Sequence, residues 1–117
     1  ELQGKVVLLN FWSVDCPYCV EEMPLLNQAF IDWQDKGFVI LAVNTGDAES
    51  RVAEFVSQRK LSFDIILDPD VYASTVYQAN YLPTTYIIDK TGKIVGGQIG
   101  AFTNTDEIKA AIEPYLP

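Results

Sequence analysis

Val6-Val7-Leu8-Leu9-Asn10-Phe11-Trp12-Ser13-Val14-Asp15-Cys16-Pro17-Tyr18-Cys19 runs from an apolar stretch into a helical one and carries both cysteines of the chain. Residues 6 to 11 are mostly apolar on both faces, as expected of a strand in the middle of a sheet. Trp12 to Asp15 leave room only for a tight turn. Pro17 suits the first position of a helix, where its missing N–H would have been unpaired anyway. The two thiols then fall in the first helical turn, and free N–H groups and the positive end of the helix dipole face Cys16. A thiolate is stabilised there, and the thiolate is the reactive form of cysteine. The stretch reads as a site for thiol–disulfide exchange.

Other uses of Cys-x-x-Cys fit less well. A structural zinc site takes four Cys or His ligands, and the chain has two Cys and no His. Covalent haem attachment needs His after the second cysteine, where Val20 stands. A purely structural disulfide generally closes a longer loop, where the entropic gain is larger.

A chain of 117 residues with 49% hydrophobic content suffices for one substantial core, read as a single domain over 1–117. No apolar run approaches the ~20 residues of a membrane span. No signal peptide is visible, and the chain starts almost directly at a strand. It is read as a mature or trimmed domain whose missing segment held an address or an anchor. A net charge of -8 argues against nucleic acid or an anionic membrane as partner.

Strand and helix alternate along the chain. From Cys16 to about Asp35, Val20, Met23, Leu26, Phe30 and Trp33 recur at helical spacing and define one apolar face. Pro24 is expected to kink this helix and Gly37 to end it. Phe38 to Asn44 is a second buried strand. Glu49 to Arg59 is a second helix, with Val52, Phe55 and Val56 inward. Phe63 to Leu67 is a short strand, and Val71 to Gln78 one or two helical turns. Thr84 to Asp89 and Ile94 to Ile99 form a hairpin across Lys90-Thr91-Gly92-Lys93. Asp106 to Tyr115 is the last helix. Gly96, Gly97 and Gly100 lack the following helix that a phosphate loop needs, so a bulged edge strand is the reading adopted. The expected architecture is an α/β sandwich with a mixed sheet, its early strands parallel and its last pair antiparallel.

With these elements placed, the chain resembles the thioredoxin-fold proteins, in particular the TlpA/ResA-like group of bacterial extracytoplasmic thiol–disulfide oxidoreductases. The matching pieces are Gly4 to Trp12, Cys16-Pro17-Tyr18-Cys19, Glu22-Met23-Pro24, Val43-Asn44 and Leu82-Pro83-Thr84-Thr85. The resemblance implies a three-layer thioredoxin-like sandwich with helices flanking a mixed central sheet. The helix and strand between Asn44 and Asp68 correspond to that group's central insertion. It also implies a redox disulfide between Cys16 and Cys19. Cys16 is the attacking thiol, Cys19 the resolving one, and Pro83 a cis-proline beside them. Glu22 handles protons, and it lies i+3 from Cys19 on the same side of the helix. Trp12, Pro17, Tyr18, Leu82 and Thr84 are the implied substrate contacts. The implied partners are a disulfide-containing protein substrate and a membrane-bound thiol donor, with no cofactor and no metal. The implied setting is extracytoplasmic or periplasmic, with an anchor outside this chain. A disulfide-donating oxidase and a redox-sensing or partner-binding domain stay open beside the reductase reading.

Three positions depart from the wider family. Asn10 stands where ordinary thioredoxins have a buried Asp, which leaves the proton acceptor's role to Glu22. Asp15 precedes the nucleophile, where Trp is usual. Pro17-Tyr18 is shared with glutaredoxins, but no basic glutathione-binding cluster accompanies it. Asp15, Glu21 and Glu22 oppose a Cys16 thiolate, and no Lys or Arg lies between Val6 and Asp35. The expectation is therefore a thiol with no cation near it, which argues against peroxide chemistry and for a reducing couple.

Overall fold

The computed structural model describes residues 4–117; the first three residues of the 1–117 span lie outside that range. The elements in order are β1 (Val6–Trp12), α1 (Pro17–Trp33), a 3-10 turn (Gln34–Lys36), β2 (Phe38–Thr45), α2 (Glu49–Arg59) and β3 (Asp64–Asp68). They continue with α3 (Tyr72–Val76), β4 (Thr84–Ile88), β5 (Ile94–Ile99), α4 (Thr105–Ile112) and a second 3-10 turn (Glu113–Tyr115). The five strands form one sheet in the order β3-β2-β1-β4-β5. β1 pairs parallel with β2, and β2 with β3, while β4 runs antiparallel to both β1 and β5. The expected mixed α/β sheet, with a helix–strand insertion extending one edge, is what the chain adopts.

β1 is buried along its whole length because both of its faces are covered. Val6, Leu8 and Trp12 join the larger core with Met23, Leu26 and Ala29 of α1, Val52 and Phe55 of α2, and Ile108 and Ile112 of α4. Leu9 and Phe11 point the other way, into a smaller cluster with Val43 that Ala73 and Tyr77 cover. Period-2 alternation therefore puts Asn10 on the face shared with α1. Gly37, at φ 82°, ends the helical segment and turns the chain back so that its carbonyl accepts from Val6 N at 2.8 Å. A Cβ there would sit 2.9 Å from Pro117 Cγ.

Several details differ from the sequence reading. The buried face of α1 is Cys19, Glu22, Met23, Leu26 and Ala29, whereas Val20, Phe30 and Trp33 are half-buried flanks. The expected face was rotated because hydrophobicity alone could not place a carboxylate inside it. Val56 is likewise half-buried, and β3 starts one residue later than expected. The last α-helix stops at Ile112, since Pro114 has no N–H for a further i→i−4 bond, and the chain tightens into a 3-10 turn. β5 is an edge strand whose register shifts where Ile88 pairs with Ile94 and Ile87 with Gly96, leaving Val95 as the extra residue of a bulge. No helix among the described residues is long and apolar enough to cross a membrane.

Candidate active site

Cys16 is the N-cap of α1, in extended conformation, and its Sγ accepts the Cys19 N–H at 3.2 Å. Pro17 follows as the first helical residue, so the helix begins where the sequence puts it. Cys16 and Cys19 form a disulfide, with Cα atoms 5.2 Å apart. Cys16 is half-buried and Cys19 fully buried. That difference puts the first sulfur within reach of an incoming molecule and hides the second.

Glu22 lies one turn beyond Cys19 with no exposed surface. Its Oε1 accepts from Asn10 Nδ2 at 3.0 Å, and its Oε2 accepts from the Phe102 N–H at 2.8 Å. Burial disfavours the anion and pushes the carboxyl up to about 7, while the Phe102 and Asn10 hydrogen bonds pull the other way. A group poised near neutrality can both take and return a proton. Asn10 Nδ2 also donates to Thr85 Oγ1 at 3.1 Å, which joins β1, α1 and β4 behind the disulfide.

The Leu82–Pro83 bond is cis, as the resemblance implied. Pro83 is buried and its carbonyl accepts from Gly100 N at 2.8 Å. Tyr81 and Ile99, on the two segments so joined, are 69% and 73% exposed, and Tyr18 between the cysteines is 68% exposed. A groove of about 450 Å³ runs from Tyr18 along Leu25 to Ala101, Phe102 and Thr103. The Phe102 segment thus forms groove wall and Glu22 partner at once.

The implied substrate contacts fall into two groups. Pro17 and Tyr18 are exposed and Leu82 is partly so. Trp12 does not belong with them: it is fully buried, its ring 5.0 Å from that of Phe55, with no surface to offer a ligand. Thr84 is also buried, and its hydroxyl donates to the Tyr81 carbonyl, so it shapes the Pro83 loop from inside.

The absence of a nearby cation is corrected. Arg51 of α2 reaches the residue before the nucleophile, with Nη2 2.8 Å from Asp15 Oδ1 and Nη1 3.2 Å from Oδ2. This guanidinium holds the Asp15 carboxyl below its usual range. The guanidinium thus offsets part of the Asp15 charge beside Cys16, and because the pair is exposed the offset is strongest at low salt. Burial weakens the second opposing charge as well, because it favours the neutral form of Glu22.

Asp47 is a further anchor, one that the sequence reading missed. Its Oδ2 accepts from Ser13 Oγ at 3.0 Å, Val14 N at 2.9 Å and Asn44 Nδ2 at 2.9 Å. It fixes the turn that presents Cys16. Asn44 three residues before Asp47 was the available signal, because an Asn side chain can cap a backbone N–H that follows it: Asp47 N donates to Asn44 Oδ1 at 3.1 Å. Nothing in that spacing announces the partners at Ser13 and Val14.

A family model described as the AhpC/TSA family matches residues 1–96. The chain belongs to the AhpC/TSA family. The thiol-disulfide oxidoreductase ResA of Geobacillus thermodenitrificans is 38% identical over 117 residues, covering 100% of this chain and 67% of its own. StoA from Bacillus subtilis superposes with a TM-score of 0.82 at 25% identity, over 92% of this chain and 82% of that one. A thioredoxin family protein from Chlorobium tepidum shares the fold, with a TM-score of 0.87 at 21% identity over 99% and 83% of the two chains. The thioredoxin fold and the resemblance to ResA-like proteins both stand. The chain spans between 64% and 67% of the length of the two ResA relatives of Bacillus cereus and Geobacillus thermodenitrificans.

Proposed function

We propose that this chain is the redox module of a thiol–disulfide oxidoreductase that reduces disulfides in protein substrates. The observation that carries the reading is one arrangement: a half-exposed Cys16 sulfur at a helix N-terminus, paired with a buried Cys19, with the buried Glu22 carboxyl one turn behind. In the reduced chain the Cys16 thiolate attacks one sulfur of the substrate disulfide. That S–S bond breaks, a Cys16–substrate bond forms, and the other substrate sulfur leaves as thiolate. Cys19 then gives its proton to Glu22 and attacks Cys16 Sγ. The mixed disulfide breaks, the second substrate sulfur leaves, and the Cys16–Cys19 bond forms. Two electrons have passed to the substrate, and the chain is left with the Cys16–Cys19 bond in place. A membrane-bound dithiol donor resets it.

Substrate backbone lies along the Leu82–Pro83 loop, with Tyr18 and the groove toward Phe102 receiving side chains. Exposed Tyr18 at the groove, with exposed Tyr81 and Ile99 on the neighbouring segments, supports a protein substrate over a small hydrophilic one. Direction follows from charge. With Asp15 paired to Arg51, the thiolate is left mainly with the helix N-terminus, worth about 0.3–1 kcal/mol. That is well short of the stabilisation that makes a strongly oxidising couple. The resemblance to the ResA-like group supports an extracytoplasmic setting and exported substrates, apocytochrome c among them.

Equilibration with glutathione buffers tests direction, and a Cys19→Ser variant mixed with disulfide-bonded proteins tests the first step by trapping mixed disulfides. We expect a potential of about −230 mV or lower and trapped adducts on Cys16. A potential near about −120 mV would make the chain a disulfide donor. Absence of turnover on any protein disulfide would leave a sensor domain.

A further inference from the structure

Asn10 is fully buried in the middle of β1, and the two N–H groups of its Nδ2 serve Glu22 Oε1 at 3.0 Å and Thr85 Oγ1 at 3.1 Å. Its Oδ1 is buried with no hydrogen-bond partner. A buried acceptor left unpaired is costly, and it sits here on the residue that holds the carboxyl proposed to move protons. The arrangement has a chemical logic. Ionised Glu22 presents acceptors only, and it is met by donors at both oxygens, Asn10 Nδ2 and the Phe102 N–H.

Protonation reverses one side of this. The Phe102 N–H keeps its hold on Oε2, which accepts whether the group is carboxylate or acid. At Oε1 the new O–H would point at an N–H, donor against donor. Turning the Asn10 amide over about its Cβ–Cγ bond removes the conflict at Oε1, and in exchange carries the two Nδ2 donors to the place where Oδ1 now lacks a partner. Oδ1 then faces both the Glu22 O–H and the Thr85 hydroxyl, which donates as readily as it accepts. The two ends of an amide are nearly equal in size, so the packed core accommodates the turn. Aspartate could not serve both states, since it would set a second carboxylate against the first. Leucine would serve neither.

We propose that Asn10 is a positioning residue of the exchange reaction: its amide turns over as Glu22 exchanges its proton, so that the carboxyl stays in place behind Cys19 in both states. The proposal rests on the reading of Glu22 as proton acceptor. The groups hydrogen-bonded to Glu22 from β1 and from the segment before α4 are Asn10 and the Phe102 N–H, and Thr85 of β4 joins through Asn10. None of these titrates. On α1 itself the titratable neighbours are exposed Glu21 and, once reduced, Cys19 and Cys16.

The test is NMR of the oxidised chain, labelled at the Asn10 side-chain amide and the Glu22 carboxyl carbon, across about pH 5 to 9. We expect both signals to move with one midpoint, and the Asn10 NH₂ protons to lose their proximity to the Thr85 hydroxyl on the acid side. Asn10 resonances that stay fixed while Glu22 titrates would overturn the proposal. In Asn10→Leu the Glu22 midpoint should rise by about one pH unit or more, because the donor to the anion is gone; an unmoved midpoint would overturn it equally. The exchange rate of that variant should shift its pH profile by the same amount. If the variant does not fold, the wild-type titration decides alone. The two readings fail separately: an unchanged pH profile of exchange in Glu22→Gln removes the proton role, whereas uncoupled signals in the oxidised chain remove the amide turn.

Discussion

Replacing Glu22 by Gln should abolish a pH dependence of stability that the wild-type chain carries between about pH 4.5 and 7. The carboxyl is pushed from 4.5 to about 7 in the folded chain, chiefly by burial. It therefore binds its proton more tightly folded than unfolded. The associated stability is fully present below the unfolded value and is lost as pH rises through the folded one. Each pKa unit is worth about 1.4 kcal/mol, so the climb to about 7 amounts to about 3 kcal/mol lost by pH 8. The group has no exposed surface, so solvent screening does not discount this figure. Asp15, Asp32, Asp68 and Asp89 are all held below their ordinary 3.8. Their contributions are present above that value and vanish only as pH falls beneath it, outside the window in question. The amide introduced by Glu22→Gln would keep the Phe102 N–H on its oxygen and, once the Asn10 amide turns over to present Oδ1 in place of Nδ2, donate its NH₂ to that oxygen. Urea unfolding of the oxidised proteins at several pH values between about 5 and 8 measures the effect. Wild-type stability should fall across the range while the variant stays nearly flat and becomes the more stable protein above neutrality. Parallel curves would refute the account of Glu22.

Three further outcomes follow from the geometry. In the reduced chain a thiol-alkylating reagent should label Cys16 much faster than buried Cys19, as mass mapping after a brief reaction would show; preferential labelling of Cys19 would reverse their roles. Arg51→Ala should slow alkylation of Cys16 at low salt, by uncovering the Asp15 charge, and adding Asp15→Asn should restore the rate. An Arg51 variant as fast as wild type at every ionic strength would show that the pair does not act on the thiolate. Asp47→Ala should cost about 1–3 kcal/mol in chemical denaturation, because it strips Val14 N, Ser13 Oγ and Asn44 Nδ2 of their common acceptor. It should also reduce turnover on a model protein disulfide, and a stability within about 0.5 kcal/mol of wild type would show that the turn holds without it.

What could be read in the sequence is what depends on neighbours along the chain. The strand Val6–Trp12, the helix opening at Pro17 and the hairpin after Thr84 follow from local periodicity, and their order implies the mixed sheet. Cys16 and Cys19 are legible because one helical turn encodes both their spacing and their unequal exposure. The environment of the site is another matter, since it is assembled from segments far apart in sequence. Arg51 lies 36 residues from Asp15, and Phe102 lies 80 from Glu22. A count of charges along the sequence around Cys16 therefore misses the partner of Asp15, and the apolar periodicity of α1 does not show that Glu22 belongs to its buried face. Burial of Glu22 is illegible for the same reason. A carboxylate at helical spacing reads as a solvated charge until a donor from β1 and a backbone N–H from the segment before α4 make the interior habitable for it. Asn10 is the residue where both kinds of information meet: its place in a buried strand is local, but its meaning depends on Glu22 and Thr85, 12 and 75 residues away. Replacing one member of that trio should therefore change the proton affinity of the site while leaving the strand and helix that carry it in place.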